Sequence, residues 1–238
     1  MPQLQRLAIA PSQIQNQQIA LTSQQHHYLS RVLRLREGDR FIAMDGMGQW
    51  WLAQLGGMEA QILEPISMQT ELPVAITLIT ALPKNGFDEV VRSCTELGVS
   101  CIVPVMSDRT LLNPSSQKLE RWRRIAQEAA EQSERQIVPT ILDPVPFPAS
   151  FSLTQNQPQY ICVARGDSPH LLNCLQDKAQ NSTEITIAIG PEGGWTPAEI
   201  EQAIAAGYQP VSLGRRILRA ITAPIVALSL TVAAWEAT

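Results

Sequence analysis

Three short segments combine residue types that can hold a ligand and act on it. The first runs Ile187-Ala188-Ile189-Gly190-Pro191-Glu192-Gly193-Gly194-Trp195-Thr196-Pro197-Ala198-Glu199. An apolar run enters a glycine-rich turn and leaves it as a helix. Thr196 as cap, Pro197 at the first helical position and Glu199 completing a capping box specify the helix start. The glycines let a backbone or a ligand approach closely. Such a turn at the carboxyl end of a parallel strand is where α/β sheets take ligands. The spacing is neither GxGxxG nor a P-loop, so neither a dinucleotide nor a nucleoside triphosphate is indicated. Taken alone, an ordinary strand-to-helix turn explains the segment equally well.

The second segment is Leu213-Gly214-Arg215-Arg216-Ile217-Leu218-Arg219-Ala220-Ile221-Thr222-Ala223-Pro224. Ile217 and Leu218 among three arginines can wall a pocket for a flat aromatic group, with cations for phosphate. In this setting Arg219 is expected to point into a partly dry site. A solvated basic loop before a buried helix is the stronger reading of this segment by itself. The third segment is Arg31-Val32-Leu33-Arg34-Leu35-Arg36 with Arg40. Arginine at this density can grip nucleic-acid phosphates, although charge runs are commonly solvated faces. His26 and His27 precede it, but adjacent helical residues point to different faces. With no carboxylate nearby, neither a metal nor acid–base work is assigned to them. A fourth charged stretch, Lys118 to Arg135, reads mostly as helix support through pairs such as Glu120–Arg124 and Glu131–Arg135. Arg124, Glu128, Glu131, Gln132 and Arg135 would share one face of it.

The elements that must position these residues fall into two parts. At 238 residues the chain suits one or two domains, and it is apolar enough for a packed core. The net charge is −4, so any grip on nucleic acid must come from local arginine clusters. The four cysteines have no metal-ligand spacing and read as buried thiols. No stretch reads as a membrane span or an export signal, and a cytoplasmic protein is expected. Residues 1–71 carry turn signals between short β-like runs, Arg40 to Met44, Gln49 to Leu55 and Glu59 to Ile66. They predict a small β-barrel or sandwich. A helix over Gln24 to Leu35 would show Tyr28, Val32 and Leu35 on one face. Residues 72–238 alternate strands and helices, which predicts a parallel sheet covered on both faces. Within them, residues 141–158 read as a surface connection.

Ala81-Leu82-Pro83-Lys84, Thr95-Glu96-Leu97-Gly98-Val99, Ser107-Asp108-Arg109-Thr110, Arg121-Trp122 with Ala129-Ala130-Glu131-Gln132-Ser133, Ile189-Gly190-Pro191-Glu192-Gly193-Gly194 and Leu213-Gly214-x-Arg216-Ile217-Leu218-Arg219 follow one another in this order. Each is weak alone, but the ordered set is specific. Over nearly its whole length the chain resembles the ribosomal RNA small subunit methyltransferase E family, of the SPOUT class. The resemblance implies a PUA-like RNA-binding β-barrel over residues 1–71. It implies a SPOUT methyltransferase domain over 72–238, an α/β fold with a deep trefoil knot. It further implies a homodimer that transfers a methyl group from S-adenosyl-L-methionine to N3 of one uridine of 16S rRNA in the 30S subunit, without a metal. Leu82, Ile189, Gly190, Gly193, Leu213, Gly214, Ile217 and Leu218 would hold the cofactor. Arg31, Arg34, Arg36 and Arg216 would hold RNA.

Uridine N3 carries a proton at neutral pH, so a group must accept it or stabilise charge on the base. Arg219 is the candidate for stabilising charge, and Glu192 or Glu131 for accepting the proton. The chain departs from the family at two positions. Ile221 stands where a glutamate is usual, and Ser93 where a lysine is usual, with Arg92 beside it as a possible substitute. Two rivals follow: an RNA-binding assembly factor that has lost methyl transfer, and a methyltransferase acting on another RNA.

Overall fold

A computed structural model describes residues 4–110, 114–154, 157–176 and 182–236. The chain forms two compact units, Met1–Glu71 with Ala130–Val138, and Leu72–Ala129 with Pro139–Thr238.

The first unit holds strands β1 (Arg6–Ala8), β2 (Ile14–Gln15), β3 (Gln18–Ala20), β4 (Arg40–Met44), β5 (Trp50–Gly56) and β6 (Glu59–Ile66), with helix α1 (Ser23–His27). The strands make one sheet in the order β1-β4-β5-β6-β3-β2. All neighbours are antiparallel except β1 and β4. Alternation sends Ile19, Phe41, Ala43, Ala53 and Leu55 into one core with Leu29. The helix expected over Gln24–Leu35 is shorter. Thr22 caps α1, with Gln25 closing a capping box, and Tyr28–Val32 widens into a π turn. The wider turn shifts the inward face, so Leu29 is buried while Val32 is 58% exposed.

Ala130–Val138 is held into this unit by charge. Glu71 accepts from Arg135 Nη2 at 2.6 Å and from the backbone N–H groups of Gln136 and Ile137 at 2.8 and 3.1 Å. Arg6 pairs with Glu134 at 2.8 Å and lies 5.5 Å from the Trp50 ring centre. Glu131 accepts the Ala8 N–H at 2.8 Å. The expected Glu120–Arg124 pair gives way to Glu120–Arg123, at 2.7 Å.

The second unit runs β7 (Ala75–Ala81), α2 (Phe87–Glu96), β8 (Cys101–Met106), α3 (Ser116–Gln132), β9 (Thr140–Ile141), β10 (Val145–Pro146), β11 (Gln159–Cys162), α4 (Leu171–Cys174), β12 (Glu184–Ile189), α5 (Pro197–Ala205), β13 (Gln209–Val211) and α6 (Thr222–Glu236). The last residues of α3 belong to the first unit. The sheet order is β10-β8-β7-β12-β11-β13, with β9 beside β8. Every described pairing is parallel. Strands such as Ile185–Ile189 are buried throughout, as a sheet covered on both faces requires. In α2, Phe87, Val90, Val91 and Cys94 turn inward, and Phe87 meets Trp122 edge-on at 4.4 Å. Trp122 Nε1 donates to Asp88 at 3.0 Å. The 141–158 stretch is more than a surface connection. It supplies β10 and a 3-10 turn, Phe147–Leu153, that buries Phe147 and stacks it on Trp195 at 4.1 Å.

Glu71→Ala takes its carboxylate away from Arg135, a cation 4% exposed, and strips two backbone N–H groups of their acceptor. The expected loss is about 3 kcal/mol in urea unfolding. A loss below about 1 kcal/mol would rank this contact with ordinary surface ion pairs.

Candidate ligand and nucleobase pockets

Strands β12, β11 and β13 are parallel neighbours, so their carboxyl ends open on one edge of the sheet. Loops leaving these ends enclose a pocket of about 380 Å³. Ile189–Trp195 contributes one wall, Cys162–Arg165 a second, and Leu213, Gly214 and Arg216–Leu218 a third. Arg109, from the loop after β8, closes the rim.

The local sequence explains this shape. Glu199 is 4% exposed and sits in the first turn of α5. It accepts the Thr196 N–H at 2.7 Å, as in a capping box, and its other oxygen accepts the Asp108 N–H at 2.9 Å. Ser107–Thr110 is thereby tied to the glycine turn. Arg109 Nη1 reaches the Gly193 carbonyl at 2.5 Å. A Cβ at Gly193 would lie 3.1 Å from Arg109 Cδ, so glycine permits the guanidinium stem to lie along the turn. A Cβ at Gly190 would lie 3.1 Å from the Trp195 indole. Trp195 can therefore fold back on the strand end and bury its ring.

A second, open depression of about 460 Å³ adjoins the first. Lys84 and Asn85 come from the loop after β7, Glu192 from the glycine turn, and Ile217–Ile221 from the loop before α6. Glu192, Ile217, Leu218 and Ala220 line both pockets. Glu192 Oε1 accepts the Lys84 N–H at 2.9 Å. Among the described residues, Glu192 is the only acidic side chain along either wall.

Seven of the eight residues expected to hold the ligand line the pocket at the strand ends: Ile189, Gly190, Gly193, Leu213, Gly214, Ile217 and Leu218. Leu82 does not; it is 1% exposed, with its N–H on the Val105 carbonyl. Arg216 lines the same pocket, and Arg219 lines the depression. Arg219 is exposed, where a partly dry setting was expected. Glu131 lines neither pocket and supports Ala8 in the first unit. Arg31, Arg34 and Arg36 are exposed in that unit, Arg34 with a left-handed backbone, φ 59°.

Ile221 is half-buried against α2. Its Cγ2 lies 3.0 Å from where a Gly86 Cβ would stand. Arg92 is paired with Glu89 at 2.8 Å. Among the described residues no His, Cys, Asp and Glu cluster could hold a metal ion, and no helix is long and apolar enough to cross a membrane.

Sequence reasoning missed Cys162–Arg165 and the rim role of Arg109. The signal for the former was present, since Tyr160–Val163 is an apolar strand followed by Arg165-Gly166. Burial pushes the Cys162 thiol up to about 12, which makes it a neutral wall and no nucleophile.

Comparison with known proteins follows the two units. Residues 70–232 match an RNA methyltransferase domain and residues 21–63 an RNA methyltransferase PUA domain. The ribosomal RNA small subunit methyltransferase E of Synechocystis is 51% identical over 231 residues, covering 94% of this chain and 76% of that protein. The crystal structure of the Neisseria gonorrhoeae protein of the same name, bound to S-adenosyl methionine, is 32% identical and superimposes with a TM-score of 0.88 over 98% of both chains. A Legionella pneumophila methyltransferase in complex with the same cofactor is 26% identical, with a TM-score of 0.86 over 98% of both chains.

Glu199→Ala removes one side of the capping box and leaves the Asp108 N–H without its acceptor. Each loss costs about 1 kcal/mol, so denaturant unfolding is expected to show about 2 kcal/mol of destabilisation. An unchanged unfolding midpoint would mean that another group anchors the Arg109 loop.

Proposed function

Because the chain belongs to the ribosomal RNA small subunit methyltransferase E family, we propose that it methylates N3 of one uridine in the 16S rRNA of the 30S subunit, as a cytoplasmic homodimer. It is an RNA methyltransferase with a PUA-like N-terminal domain, and S-adenosylmethionine is its methyl donor. The observation that carries the finer reading is the pair of adjoining pockets that share Glu192 and the Ile217–Ala220 segment. One pocket can hold the donor and the other the base.

The pocket at the strand ends fits the donor's chemistry. Its volume lies in the range of small-ligand sites. Ile189, Val163, Leu213, Ile217 and Leu218 offer apolar surface to a flat ring, and the three loops offer backbone polar groups at their edges. When bound, S-adenosylmethionine supplies a methyl carbon on a positively charged sulfur, which departs as a neutral thioether. The protein's own task is to align the base, take its proton and spread its charge.

Glu192 is the group we assign to the proton. It lines both pockets, whereas Glu131 is committed to the Ala8 N–H. As the N3–carbon bond forms, the N3 proton passes to the Glu192 carboxylate. Arg219 donates hydrogen bonds to a uracil carbonyl oxygen that gains charge. The base itself covers Arg219, which is open in the free protein. Arg216, with Arg31, Arg34 and Arg36, holds RNA phosphates. The apolar residues Ile225, Val226, Leu230 and Val232, half-buried on α6, support a second copy docking there. The crossover order β7-β12-β11-β13 supports the trefoil knot.

Two predictions test this reading. Gly193→Val forces Arg109 off the turn, so calorimetry is expected to show at least a tenfold loss of S-adenosylmethionine affinity, with only a modest drop in melting temperature. Unchanged affinity would remove the turn from the donor site. The natural chain is expected to methylate uridine N3 in 30S subunits, mapped by mass spectrometry. Arg219→Lys, which loses the planar fork, should slow it roughly 10²-fold with the donor still bound. Ile221→Glu is expected to bring no gain, because Ile221 packs on Gly86. A natural chain that methylates nothing, beside an active Ile221→Glu form, would identify a carboxylate base that this chain has lost.

A further inference from the structure

We infer that the open depression reads the Watson–Crick edge of uracil and excludes cytosine, with Glu192 as the discriminating group. This rests on the proposed function for its substrate and goes further by saying how one base is chosen.

Uracil presents acceptor, donor, acceptor along that edge: O2, N3–H, O4. Cytosine presents acceptor, acceptor, donor: O2, N3, and the exocyclic amine. The depression carries Lys84 and Asn85 on one loop, Glu192 on a second and Arg219 on a third. Two cations can only donate, the Asn85 amide can do either, and a lone carboxylate can only accept. That set complements uracil. Against cytosine the carboxylate would face the N3 lone pair, and a donor would face the amine. A polar group left opposed in this way costs more than a missing contact.

Three further features support the assignment. Glu192 is fixed in place, because Oε1 holds the Lys84 N–H at 2.9 Å. Among the described residues no other partner engages the carboxylate, so Oε2 is available to the base. Ile217 is 66% exposed and lines both pockets. An aliphatic side chain so exposed offers its face to a base swung out of its stack. The floor residues Leu218, Ala220 and Ile221 carry no polar side chain, so among the described residues Glu192 is the one carboxylate that lines the depression.

The test uses the full-length protein with S-adenosylhomocysteine bound. Its affinity is measured for 30S subunits reconstituted with 16S RNA carrying uridine, or cytidine, at the methylated position. The natural protein is expected to prefer uridine at least tenfold, within the range of one well-formed base-edge contact. Glu192→Gln, whose amide can turn to suit either edge, should shrink the preference below twofold. Glu192→Asp, which keeps the carboxylate, should retain most of it. Glu192 is exposed, so all three forms should melt within a few degrees of one another. Equal binding of uridine and cytidine by the natural protein would overturn the inference, as would a tenfold preference that survives in Glu192→Gln. Methyl incorporation into unmodified 30S subunits is run alongside. Its failure would remove the function, whereas methylation without base preference would remove the inference alone.

Discussion

A buried carboxylate holds the working end of the sheet together. Glu199 has one oxygen on the start of its own helix and the other on the loop after β8. Those two segments are far apart in sequence, and neither has a strand of its own at that point. Through Glu199 the helix start, the glycine turn and Arg109 become one piece. A charged group at 4% exposure is tolerated because backbone N–H groups satisfy both of its oxygens. The Arg109 bond to the Gly193 carbonyl then fixes the lip of the pocket at the strand ends.

From that anchor the site follows from parallel-strand geometry. β11, β12 and β13 deliver their loops to a common edge, and the loop before α6 lies between two cavities. With donor and base assigned to these cavities as proposed, they would meet at the shared wall, formed by Glu192, Ile217, Leu218 and Ala220. Ile221 gives this arrangement its local character. Its side chain is matched by a glycine at the start of α2, where a Cβ would come within 3.0 Å of Ile221 Cγ2.

The division into a β-rich part and an α/β part, and both pocket-forming loops, are legible in the sequence. Strong patterns carried them: the capped turn at Thr196, the buried run Ile185–Ile189 and the apolar pair Ile217-Leu218 among arginines. What escaped was set by tertiary contact. Val32 has the spacing of a core residue and lost its place to Leu29 through one widened turn. Phe147 lies in a proline-rich stretch that looks like surface, yet the flat face of Trp195 gives it a partner. Glu131 carries the right chemistry for a base, but only the fold reveals that it is spent on Ala8. Arg109 reads as one more loop arginine until Glu199 and Gly193 are seen to position it.

The make-up of the first unit bears on how the chain is born. Its sheet is complete by Glu71, but Ala130 and Val138 pack with Ala8, Ile42, Met44 and Trp50. On the ribosome these apolar side chains emerge early and stay uncovered until the far end of α3 has been synthesised. The core around Leu29 can form from the first 71 residues, but the cluster around Trp50 is completed only by this later segment, unlike in a contiguous domain. For the interval in which Leu72–Ala129 is being made, its exposed face is a natural client surface for a chaperone. A protein that is itself read as a modifier of ribosomes passes through its most vulnerable state while still attached to one.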